Sequence, residues 1–73
     1  MNYDLAIMAL EGLTRSRMTV REEKGEVVIE ADAESFKHFA RLCLLLGGGS
    51  EEEGFELQRG VHVDGIPLRL RVR

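Results

Sequence analysis

Cysteine, tryptophan and proline are nearly missing from this chain: one Cys, no Trp and one Pro in 73 residues. Cys43 alone can form no intramolecular disulfide and no cysteine-rich zinc site. Aromatic residues make up only 5% of the chain, too few to interleave with basic side chains as a stacking platform for single-stranded nucleic acid. No apolar run approaches the roughly 18 residues that suggest a membrane span. Asp4 precedes the short apolar stretch near the start, with no cationic region ahead of it, which is unlike a signal peptide. We therefore expect a cytoplasmic protein with no membrane partner. The net charge of −3 weighs against a general nucleic-acid binder.

What is present is the composition of a folded protein, with 44% apolar and 32% charged residues. The length bounds the chain to a single domain over residues 1–73. A core of this size often supplies only about 3–5 kcal/mol, and no disulfide adds to it, so oligomerisation is the expected staple.

The stretch 26–49 organises the chain. Residues 26–30 read as a strand and 33–46 as a helix, with Asp32 as N-cap and Glu34 suiting the helix dipole. Advancing about 100° per residue puts Phe36, Phe39, Ala40 and Cys43 on one face, expected to be the core face. Leu44 and Leu46 fall at its edges, Leu42 beyond it, and Leu45 opposite, among Glu34, Lys37, His38 and Arg41. The glycines at 47–49 end the helix and supply a left-handed position.

Residues 2–13 predict a short N-terminal helix capped by Asn2 and stopped by Gly12, with a strand as the alternative. Leu5, Met8 and Ala9 share one face of it; Tyr3, Ile7 and Leu10 form a second. A polar connector over 14–17 leads to a hairpin about Lys24-Gly25, with Val20 opposite Ile29 and Arg21 opposite Val28. Residues 47–54 read as a loop. Asp64-Gly65 then predicts a type I′ turn pairing Val63 with Ile66, Val61 with Leu68, Arg59 with Leu70 and Leu57 with Val72. Pro67 places that end of the last strand at a sheet edge. The expected fold is α+β: a small antiparallel sheet of about four strands in two hairpins. One main helix and a short N-terminal helix lie on one face.

Few side chains suggest chemistry. The glycines at 47–49 follow their helix and precede three glutamates, so they do not form a phosphate loop, which needs amides aimed at the anion from a helix N-terminus. His38 and His62 lie on different elements; only an intersubunit site with Asp64 or Glu34 would join them on a metal. Cys43, on the expected core face, reads as a small buried hydrophobe rather than a nucleophile. Serines, carboxylates and histidines stand in no triad order. No catalytic residue, cofactor or metal ligand is assigned. Arg69, Arg71 and Arg73 alternate along the last strand as a ridge for an anion or an acidic partner, with the charged guard of an edge strand as the plainer role.

Two stretches resemble a family of small bacterial immunity proteins, the thirty-second such family associated with polymorphic-toxin gene clusters. Val28-Ile29-Glu30-Ala31-Asp32, leading into Phe36-Lys37-His38-Phe39-Ala40-Arg41-Leu42, is similar to its strand, acidic turn and leucine-rich helix. Val61-His62-Val63-Asp64 resembles its later strand. Ala31 and Ser35 stand where the family pattern has glycine. The resemblance implies a toxin-neutralising α+β binding protein without catalysis.

The expectation is thus a small non-catalytic protein-binding module, an immunity-type or regulatory partner that forms a homodimer. Leu42, Leu45, Tyr3, Ile7 and Leu10 are the surplus apolar residues expected at the oligomer or partner interface. The alternatives are a nucleic-acid-associated protein using the arginine ridge, and a small ligand- or metal-binding protein with a site between subunits.

Overall fold

The computed structural model describes residues 3–49 and 52–73, with Tyr3 described by its backbone alone. Asn2 as a cap, the Tyr3 side chain as a contact, and Ser50 and Glu51 in the loop lie outside the described residues.

The fold is α+β. In chain order the elements are α1 (Tyr3–Arg15), β1 (Met18–Glu23), β2 (Glu26–Glu30), α2 (Ala33–Gly47), β3 (Gly54–Leu57), β4 (Val63–Gly65) and β5 (Leu68–Arg71). They form two small sheets, one ordered β2-β1-β4 and one of β3 with β5. Both sheets and both helices feed a single core: Ala6, Ala9 and Leu13 of α1, Met18 and Val20 of β1, Leu42 of α2, Phe55 and Leu57 of β3, and Val63 of β4.

The first hairpin has the expected register, Val20 opposite Ile29 and Arg21 opposite Val28. Lys24 and Gly25, with φ of 51° and 82°, supply the two left-handed positions that a tight turn of this hand requires.

The second hairpin departs from expectation. β3 pairs with β5 so that Leu57 faces Leu68, Phe55 faces Leu70 and Glu56 faces Arg69. Leu57 had been expected opposite Val72, so the pairing slips by four residues; an even slip keeps the apolar residues on one face. The freed residues between the strands build a turn and β4. β4 runs parallel to β1, Met18 beside Val63 and Thr19 beside Asp64, so the sheet is mixed rather than antiparallel.

The Gln58 carbonyl accepts from the amides of Val61, His62 and Val63 at 3.1, 2.9 and 3.3 Å, curling the turn. Arg17 Nη1 donates to the Gly60 carbonyl at 2.6 Å and holds the turn against the start of β1. Asp64-Gly65 is therefore part of a strand, not a hairpin turn. Gly65 still has φ +91°, but its reason is contact: a Cβ there would lie 2.1 Å from the Val20 carbonyl oxygen. Among the described residues β5 has β3 as its one sheet partner, which leaves its other side as the edge that Pro67 suggested.

α2 begins as expected, with Asp32 Oδ1 accepting from the Ser35 amide at 2.7 Å. Its last turn closes with the Gly48 amide donating to the Leu44 carbonyl at 2.7 Å, and Gly49 takes the left-handed conformation. The buried face is rotated from the expected one by one residue. Ser35 and Leu42 are fully buried, and Phe39, Leu45 and Leu46 pack against the core. Cys43, Ala40 and Phe36 are exposed. The stripe begins on a serine, which hides it from a hydrophobic count. The Ser35 hydroxyl is satisfied by donating to the Ser16 carbonyl at 2.6 Å, and this allows its burial.

α1 continues past Gly12 to Arg15, so Gly12 is no stop. A Cβ on Gly12 would fall 2.3 Å from the His38 ring. Small residues at Ala6, Ala9 and Gly12 let α1 lie close to α2, with Leu13 completing the buried stripe. Of the expected Leu5, Met8 and Ala9 face, only Ala9 is buried. About one turn beyond Gly12, the Ser16 hydroxyl donates to Asp32 Oδ2 at 2.7 Å, so one carboxylate caps α2 and tethers the exit of α1.

Candidate interaction surface

Leu42, expected outside, is fully buried in the core, and Leu45 and Leu10 are half-buried against it. Those three residues are accounted for within the chain, and they are not surplus. Ile7 is partly exposed, at 37%. Val27, Phe36, Val61, Ile66 and Val72 are exposed as well, and where α1 meets the second half of α2 the exposed apolar residues are Leu44 at 73%, Met8 at 63% and Leu5 at 49%.

These three line the outer face of the helix pair. A groove of about 420 Å³ runs along it between Leu5, Met8 and Ala9 on one side and His38 and Arg41 on the other, with Glu11 and Arg15 at its end. A second hollow of about 260 Å³, lined by Leu5, Arg41, Leu44 and Leu45, continues it. Leu5 and Arg41 belong to both, so the two form one trough with an apolar floor and charged lips. The Arg41 guanidinium lies 3.1 Å from His38 Nδ1. Among the described residues, neither Arg15 nor Arg41 has an ion-pair partner. Periodicity could have found this trough, had the buried stripe been centred on Ala6 and Ser35; Met8 and Leu44 then lie opposite it and Leu5 on its flank.

The arginine ridge is partly built. Arg69 pairs with Glu56 across the β3–β5 ribbon, and Arg71 stands opposite Gly54. Arg73 lies beyond the strand. A side chain at residue 54 would collide with the Leu70 carbonyl, so the glycine leaves Arg71 without a facing partner on β3. Exposed pairs such as Arg69–Glu56 contribute little to stability, and here the pair halves the free charge of the strand.

The histidines stay apart in their bonding. His38 covers Gly12 on the helical side. His62 accepts from the Gln58 amide through Nδ1 at 3.1 Å, in the turn before β4. Partial burial pushes the His62 pKa below its ordinary value. The Asp32 carboxyl is held below the usual range chiefly by the Ser35 amide, then by the Ser16 hydroxyl. Its role is a cap. Among the described residues, no group of three or more His, Cys, Asp or Glu side chains is placed to hold a metal ion. Cys43 is exposed, correcting its expected burial. No helix among the described residues is long and apolar enough to cross a membrane. The chain matches no family model, no curated protein and no solved structure.

Proposed function

We propose that this protein is a small non-catalytic protein-binding module that self-associates, with the outer face of α1 and α2 as its contact surface. The observation that supports this reading is the trough with Leu5, Met8 and Leu44 exposed along it. Large apolar side chains grouped in a concave strip gain free energy when a partner covers them, about 25 cal/mol per Å² of apolar area. The charged lips around an apolar floor follow the usual anatomy of a protein contact. An immunity-type or regulatory role, in line with the family resemblance, is the biological setting we assign to it. Light scattering at micromolar concentration is expected to give about twice the chain mass of 8.2 kDa, and Leu44→Glu to lower it. The chain mass alone, for the unmodified protein across that range, would overturn self-association.

A further inference from the structure

The outward side of α1 carries an ordered row of charge. Asp4, Met8, Glu11 and Arg15 are spaced four, three and four residues apart, so they stack along one line of the helix. That line is opposite the buried Ala6–Ala9–Leu13 stripe. Asp4, Glu11 and Arg15 are all exposed, and none has an ion-pair partner among the described residues. Along its length the row runs acidic at Asp4, apolar at Met8, acidic at Glu11 and basic at Arg15. Turned by 180° about an axis through its middle, its two ends meet as opposite charges, Asp4 against Arg15, and Met8 falls on Glu11.

We propose that the occupant of the trough is a second copy of this chain, bound with its α1 antiparallel to the first across a two-fold axis level with Ala9 and Leu10. This rests on the self-association proposed above and adds the register. Asp4 of each copy meets Arg15 of the other, and Met8 meets the aliphatic part of Glu11. Arg15 lays its stem over the exposed Leu5 while its guanidinium reaches Asp4. Arg41, on the lip beside Leu5 and Met8, supplies the opposite charge where Glu11 of the second copy arrives. Ile7 closes the far flank. Antiparallel helices also bring the positive end of one dipole beside the negative end of the other. A parallel pairing would set Asp4 against Asp4 and Arg15 against Arg15, so the same row rejects it.

Charge exchange tests this directly. Asp4→Arg makes the row basic at both ends, and Arg15→Asp makes it acidic at both ends. Each variant alone is expected to raise the dimer dissociation constant at least tenfold. An equimolar mixture of the two is expected to form a heterodimer with an affinity near that of the unmodified protein. Asp4 and Arg15 are about 16 Å apart along the helix, beyond the screening length of about 8 Å at physiological salt. Recovery in the mixture therefore comes from contact between chains, not from repair within one. Circular dichroism of each variant checks that the helices persist. Single variants that dimerise like the unmodified protein, or a mixture that stays monomeric, would overturn the antiparallel α1 contact. If Leu44→Glu dissociates the dimer in that same case, the proposed function stands and only the register fails.

Discussion

Leu42 and Leu44 sit two positions apart on α2 and differ completely in environment, the first fully buried and the second 73% exposed. Truncating each separates core from surface. At concentrations where the chain is monomeric, Leu42→Ala is expected to cost about 2–5 kcal/mol by leaving a cavity, whereas Leu44→Ala should stay within about 0.5 kcal/mol. Chemical denaturation of the two variants measures both, and equal losses would contradict the placement of the stripe. Cys43, between them, is exposed. A thiol reagent should label it in the native protein nearly as fast as in the unfolded chain. His62 makes stability depend on pH. Its folded pKa lies below the unfolded value, so its contribution is present above about pH 6.5 and is lost as pH falls through the folded pKa. Protonation at Nδ1 also removes the acceptor for the Gln58 amide. Denaturation midpoints should fall between pH 7 and pH 5, and His62→Asn should flatten that slope.

Among the elements, α2 and β4 show where local pattern stops being informative. The ends of α2 were legible, because Asp32 and the glycine run act through backbone groups close by in sequence. Its buried face was not, because Ser35 is buried through a hydrogen bond to Ser16, a residue on the far side of the first hairpin. Asp64-Gly65 carries the same lesson. The dipeptide has the composition of a turn, yet Gly65 is required because β4 runs beside β1, and a side chain would strike the Val20 carbonyl. Gly65→Ala is accordingly expected to lose about 2 kcal/mol or more, through both the strained φ and the collision. Lys24-Gly25, by contrast, was readable as a turn, since nothing distant competes for it. The trough was missed for the same reason as the stripe: rotating the helix face by one residue exchanges Leu42 for Leu44 as the outward leucine.

At the scale of the whole molecule, the α+β class followed from the order of elements, but the division into two sheets did not. The slip of the β3–β5 ribbon and the parallel strand it releases depend on contacts between distant residues. Since both sheets and both helices contribute to one apolar core, the molecule should unfold as a unit. Leu57→Ala in the smaller sheet is expected to lower the midpoint seen by helical circular dichroism as much as Leu42→Ala does. Separate transitions for helix and sheet signals would show two independent units instead.

The position of β1, between β2 and β4, sets a constraint on how the chain can be made. In synthesis its neighbour β2 follows β1 at once, but Val63–Gly65 emerges only after α2 and β3. Until then the Met18–Val20 backbone has one unpaired side, and Leu13 and Leu42 have no Val63 to close over them. Translation can assemble the helices and the first hairpin early, yet the three-stranded sheet waits for β4. During that interval the open side of β1 is the place where a nascent chain of this protein is most exposed to chaperones, or to pairing with its neighbour on the same message.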